Sequence, residues 1–364
     1  MPSFCRHNRF IERCPICKGD LPVALQGETH AGRRAAPASR PRSAGEGTRE
    51  RRGGERLRVR REQRAVSDGY DSPLLPGVRA SEDARRLAQE LAFANGRLLA
   101  LAAEPPGLYG ELRALARSDL GRACWGCFLL VYLSPLPEQA GEDPFASVRA
   151  ALTLDAAGGG GGLPDPDELA CGPRSSHESG RGAETLEAYR QWAARGGEEV
   201  FAGDAAWTPE RRFQRAIERI ALPGFGRAGR YELLVVLGRL GIYDLRADSL
   251  ALTSARGAGG VDELTVQGAK RVFAIGDPLL LERRAGALAH AADVPVEALD
   301  LALANWAAGE RATLGFPAHA TVDGATLARA HDALGVTDDG SGVPGDAPGV
   351  PGDALGVPDD AAEV

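Results

Sequence analysis

The 364-residue sequence has almost no lysine: of 43 basic residues only Lys18 and Lys270 are lysines, and arginine supplies the rest. Alanine and glycine are abundant too, so G+C-rich coding accounts for part of this bias, and arginine counts alone carry no functional argument. No run reaches the roughly 18 to 20 apolar residues of a membrane span. The opening MPSFCRHNRF is polar and basic where a secretory signal needs an apolar stretch, so a cytoplasmic protein without a membrane partner is expected. Six cysteines in that compartment point to metal ligands or reduced thiols before disulfides. The alternation of a half-buried strand is missing as well, and the expected fold class is all-α.

An apolar content of 43% is enough for a core, but 47 Gly, 24 Pro and long polar tracts leave about 200 ordered residues expected. The formal net charge of -7 is misleading. Residues 335–364 hold Asp338, Asp339, Asp346, Asp353, Asp359, Asp360 and Glu363 with no basic residue, which accounts for all of it. Between Arg33 and Arg64 lie twelve Arg against four Glu, with almost no hydrophobes. These shifts divide the chain into a Cys/His cluster over 1–18, a disordered Arg-rich linker over 19–78, a helical domain over 79–330 and a disordered tail over 331–364. The tail repeats every seven residues from Gly335 (GVTDDGS, GVPGDAP, GVPGDAL, GVPDDAA). Its recurring Gly and Pro rule out a coiled coil and read as a solvated acidic spacer. Within the helical domain, 156–182 (AAGGGGGLPDPDELACGPRSSHESGRG) lacks periodicity and reads as a flexible insertion.

Helix starts are visible in the rest. Ser81 is placed as an N-cap, with Leu87, Leu91, Leu98 and Leu101 on one face. Further helices are expected around 109–117, over 119–133, from Asp143 and near Thr185. Others follow from Thr208-Pro209, Asp277-Pro278 and Asp293-Val294-Pro295, each a capping residue followed by a first-turn proline. The run CWGCFLLVYL is apolar enough to be the central buried helix, so Cys124 and Cys127 read as core rather than as a redox pair.

Near the start, Cys5-x-His7 and Cys14-x-x-Cys17 offer four soft ligands in the pairing of a tetrahedral zinc knuckle, and a structural zinc ion is the expected cofactor. Incidental thiols in a disordered terminus are the alternative.

The stretch ALPGFGRAGRYELLVVLGRLGIYDLRAD contains Gly224, Gly226 and Gly229 in the order G-x-G-x-x-G, the written form of a dinucleotide-binding loop. That loop needs a buried strand before the glycines. Here an amphipathic helix, TPERRFQRAIERIALP, precedes them, and the nucleotide reading fails. Helix, LPGFGR, helix is instead the pattern of a helix-hairpin-helix. Pro223 ends the first helix and the glycines permit a tight turn. The second helix then presents unpaired N–H groups to a DNA phosphate, with Arg227 and Arg230 adding charge beside Gly224 and Gly226. An ordinary helical corner with a Gly-rich turn is the alternative.

Taken together, WTPERRFQRAIERIALPGFGRAGRYELLVVLGRLGIYDLRADSL, AKRVFAIGDPLLLERRAGALA and VEALDLALANWAAGERATLGFP resemble the alpha-glutamyl/putrescinyl thymine pyrophosphorylase family, clade 3. That family is similar in fold to helix-hairpin-helix DNA glycosylases. The resemblance runs over about 79–316 without the insertion and is most specific over 207–306. It implies DNA as partner and an enzyme that replaces pyrophosphate on 5-hydroxymethyluracil in DNA with an amine donor such as glutamate or putrescine. In related glycosylases an Asp follows the hairpin and serves the reaction at the sugar; Asp248 stands near that position and Asp262 is the second candidate. No lysine sits where a Schiff-base amine would be, which argues against lyase chemistry. Trp207, Tyr231, Tyr243 and Trp306 could line a pocket for an extruded base, and Arg211, Arg212, Arg283 and Arg284 could face DNA or pyrophosphate. Two alternatives stay open: a base-excision glycosylase, and a non-catalytic DNA-binding protein in which no acid matters.

Overall fold

The computed structural model describes residues 65–139, 141–157, 165–254 and 263–336. Cys5, His7, Cys14, Cys17, Asp262, most of the Arg-rich linker and most of the acidic tail lie outside these. Among the described residues the fold is all-α, with no strand. Its helices are α1 (Ser81–Ala103), α2 (Leu108–Leu115), α3 (Leu120–Leu133), α4 (Ala146–Ala157), α5 (Gly182–Ala194), α6 (Glu199–Ala202), α7 (Pro209–Arg219), α8 (Arg227–Arg239), α9 (Leu264–Phe273), α10 (Pro278–Ala291), α11 (Val296–Ala308) and α12 (Gly324–Leu334).

Two groups of helices share one hydrophobic core. In the first, α1 packs on α11 and α12, and α11 on α9 and α10; in the second, α3 packs on α2, α4 and α8, and α7 on α6 and α8. Contacts of α1 with α8 join them, and Arg97 of α1 reaches Glu232 of α8 in a buried ion pair. The apolar run of α3 is buried on all sides from Ala123 to Leu133, as its all-round hydrophobicity requires. Cys124 and Cys127 are free and fully buried there, and burial pushes the Cys124 thiol up to about 12, so both are inert packing residues.

Thr208 and Asp277 cap α7 and α10 as expected, accepting from the Arg211 and Leu280 backbone N–H groups. Two other caps differ. Ser81 is itself helical, and its N–H donates to the Asp68 carboxylate at 3.1 Å, so the α1 cap comes from thirteen residues upstream. Asp293 has φ 50° and pairs with Arg329, while Pro295 takes the N-cap position of α11.

The domain also starts earlier and ends later than composition suggests. Leu75 and Val78 are in the core, Gly77 N–H donates to Val272 O at 2.9 Å, and the Tyr70 hydroxyl donates to Leu334 O at 2.6 Å. The segment 65–78 therefore ties the end of α12 to α9, a set of pairings that composition does not reveal.

Candidate active site

The turn between α7 and α8 is built by its glycines for different reasons. Gly224 has φ 67°, in the left-handed region open to glycine, and a Cβ there would lie 2.8 Å from Thr185 Oγ1. Gly229, on the first turn of α8, has Ser176 Oγ and Phe225 Cε2 within 2.5 and 2.6 Å of where its Cβ would be. That glycine lets residues 171–177 lie directly on α8. The third glycine of G-x-G-x-x-G therefore serves chain-on-helix packing.

Residues 165–182, expected to be flexible, form a hydrogen-bonded strap. Gly172 and Ser176 donate their N–H groups to Leu133 O and Tyr132 O, at 2.9 and 3.0 Å, and Ser175 Oγ donates to Tyr132 O at 2.8 Å. These bonds satisfy carbonyls at the end of α3 that have no helical partner, which is why an aperiodic segment is fixed here.

The strap delivers Arg174 to a buried network at the start of α8. Arg227 is expected to project toward DNA; instead its side chain is wholly buried and pairs with Glu263 and Asp300 and donates to Leu250 O. Asp300, from the middle of α11, also accepts from Arg174 Nη2 at 2.7 Å and from Thr265 Oγ1 at 3.2 Å. Glu263 takes the Ala228 N–H at 3.1 Å, so an internal carboxylate occupies the α8 end where a phosphate was expected. The guanidinium of Arg227 lies 5.0 Å from the Tyr231 ring centre. Burial alone would raise the Asp300 carboxyl, but Arg227 and Arg174 outweigh it and hold Asp300 below its ordinary value, whereas burial keeps Glu263 above its own.

Arg230 is corrected in the same way. Its guanidinium donates to Ile217 O at 2.9 Å and to Ile220 O at 3.3 Å, closing the C-terminal end of α7. Arg211, Arg215 and Arg219 are exposed near the turn, four residues apart along one face of α7, with Arg215 paired to Glu218 at 3.2 Å. Arg212 is committed to Asp244, while Arg283 and Arg284 are exposed on α10.

Beside the network is a cleft walled by Tyr109, Ser134, Arg174, Ala228, Gly229 and Glu232, with an empty volume of ≈ 290 Å³ that includes its open mouth. On the other side of the strap, the His177 Nε2–Asp167 Oδ1 distance is 2.9 Å and the Tyr132 hydroxyl is 3.1 Å from His177 Nδ1. This Asp–His–Tyr chain is absent from the sequence-level candidates, because its members are spread over a helix end and an aperiodic strap.

After α8 comes an acidic loop. Asp248 is exposed and makes no hydrogen bond among the described residues, while the backbone around it is held from behind. Glu282 accepts from the Leu250 and Leu252 N–H groups at 2.8 and 2.6 Å, and Glu297 accepts from the Ala247 N–H at 2.9 Å and pairs with Arg239. Of the candidate pocket aromatics, Tyr231 is fully buried and donates to Ser249 O at 3.0 Å. Trp306 is buried and donates to Asp83 O at 2.9 Å. Trp207 and Tyr243 are half-buried, Trp207 carrying Arg211 at 5.1 Å from its ring centre. None of the four lines the cleft.

Sequence reasoning missed Arg174, Glu263 and Asp300. One signal was present: Glu297 and Asp300 sit three apart in the largely apolar VEALDLALANWAA, where buried acids demand buried cations. Among the described residues no group of three or more His, Cys, Asp or Glu is placed to hold a metal ion.

No curated protein and no solved structure matches the chain. The segment 174–312, which supplies the network, part of the cleft and the acidic loop, matches the model of the family described as alpha-glutamyl/putrescinyl thymine pyrophosphorylase clade 3, the family that its sequence resembles.

Proposed function

We propose that this protein modifies a base in DNA, displacing pyrophosphate from a pyrophosphorylated 5-hydroxymethyluracil with an amine donor. The observation that carries the reading is the family match over 174–312, which supports a role in DNA hypermodification at the level of the family. In the reaction the amine nitrogen bonds to the exocyclic methylene carbon, the carbon–oxygen bond to pyrophosphate breaks, and the amine gives up a proton. Asp248 is the proposed acceptor of that proton, since it is exposed and unbonded on a loop braced by Glu282 and Glu297. Asp262 remains the second candidate.

DNA is proposed to lie across the turn at Gly224 and Gly226, with the exposed Arg211, Arg215 and Arg219 of α7 supplying phosphate contacts in place of the buried Arg227 and of Arg230, which is bound to the α7 carbonyls. The Arg-rich segment 33–64 adds sequence-independent attraction. A structural zinc on Cys5, His7, Cys14 and Cys17 is part of the same proposal, with a tetrahedral N/S donor set.

The test is mass spectrometry of nucleosides from DNA that carries the pyrophosphorylated base, after incubation with the full chain and glutamate or putrescine. An amine adduct on the base is the expected product. A missing base would identify a glycosylase instead, and unchanged DNA would point to a non-catalytic binder.

A further inference from the structure

The cleft at the start of α8 contains two buried polar groups that the fold leaves unused. Arg174 spends Nη2 on Asp300, but its Nη1 has no hydrogen-bond partner among the described residues, although the side chain is only 10% exposed. Ser134, just past the end of α3, is 2% exposed, and its Oγ also has no partner among the described residues. Both residues line the same cleft, together with Ala228 and Gly229 from the first turn of α8. Buried polar atoms are rarely left unpaired, and two on residues that line one cleft suggest that the space is meant to be filled.

Ser134 adds an independent sign. It is a non-glycine residue with φ 60°, a left-handed conformation that costs energy, and its side chain makes no hydrogen bond inside the fold in return. Such strain concentrates where a ligand is held.

The chemistry of the missing partner follows from what the neighbours already do. The acids around the cleft are engaged: Glu232 with Arg97, Asp300 with Arg227 and Arg174, and Glu263 with Arg227. What remains is donor capacity, from Arg174 Nη1 and the Ser134 hydroxyl. An acceptor oxygen fits, and a charged one gains more than a neutral one. The enclosed part of the cleft has room for about one water-sized group, so one oxygen enters while the rest of the ligand sits in the open mouth.

We propose that this cleft is a binding site for an oxyanion, a carboxylate or a phosphoryl group, with one oxygen held between Arg174 Nη1 and Ser134 Oγ at the start of α8. The site stands independently of the DNA reading.

Calorimetric titration of the full chain with inorganic phosphate, and separately with acetate at matched ionic strength, tests it. At least one anion binds with one-to-one stoichiometry; phosphate alone assigns a phosphoryl group and acetate alone a carboxylate. Ser134→Ala removes no existing hydrogen bond, so it leaves the melting temperature in place and weakens binding about tenfold or more, the loss expected for one hydrogen bond to a charged group. Arg174→Lys keeps the charge, loses the two-armed reach and weakens binding similarly. The proposal is overturned if neither anion binds, if both variants bind as tightly as the parent, or if a high-resolution crystal grown in the anion that binds shows only a water between the two groups.

Discussion

At its N-terminal end α8 begins inside a knot of buried charge, where Arg227 is enclosed by Glu263 and Asp300 and Arg174 completes the pairing. The loop that follows its C-terminal end carries the opposite arrangement: Asp248 stands in solvent with no hydrogen bond among the described residues, and the acids that matter to the fold, Glu282 and Glu297, grip backbone and Arg239 behind it. One end of the helix thus uses charge to fix geometry, and the other leaves exposed the acid proposed to take part in the chemistry. A buried ion pair adds little net stability against an apolar substitute, yet losing one partner is severe. An exposed acid can be exchanged with little structural consequence.

The largest effect should come from Arg227→Met, which leaves Asp300 and Glu263 short of their main cation. We expect a loss of about 3–5 kcal/mol in denaturant unfolding of the full chain. A loss below about 1 kcal/mol would mean that the knot is solvated in solution.

Acid probes the same knot without a mutation. Asp300 is held below its ordinary value of 3.8, because Arg227 and Arg174 outweigh the burial that would raise it. A depressed carboxyl contributes stability that is fully present above its unfolded-state pKa and is lost as pH falls through the folded value, so this contribution begins to fall below about pH 4 and is gone below the lowered folded value. Acid unfolding followed by circular dichroism should show that component in the parent and lack it in Asp300→Asn.

The glycines sharpen the comparison within a single motif. Gly229→Ala places a Cβ against Ser176 Oγ and Phe225 and should cost about 1–3 kcal/mol. Gly226→Ala meets no atom within 4 Å and should change stability by less than about 0.5 kcal/mol. Equal effects at the two positions would show that the strap does not lie on α8 as described.

The smallest structural effect belongs to Asp248→Asn, expected within about 0.5 kcal/mol of the parent in the same unfolding experiment.

Much of this architecture was legible in the sequence. The absence of strand alternation, the apolar α3, and the Thr208 and Asp277 caps all follow from local pattern, and the structure agrees with each. What local pattern does not carry is long-range pairing of charge. Arg227 looks like a solvent-facing arginine because its partners Glu263 and Asp300 lie 36 and 73 residues away. Arg174 sits in a stretch whose glycines and prolines suggest looseness, and its order comes from carbonyls at the end of α3 that only the folded chain brings near. The cap of α1 by Asp68 and the tie from Tyr70 to Leu334 were hidden for the same reason.

The most direct measurement is nucleoside mass spectrometry with Asp248→Asn beside the parent, on DNA carrying pyrophosphorylated 5-hydroxymethyluracil and an amine donor. The account predicts an amine adduct from the parent and at least about a hundredfold less from the folded variant, the lower range for loss of a general base. Equal adduct from both would contradict it and move the chemistry away from the acidic loop.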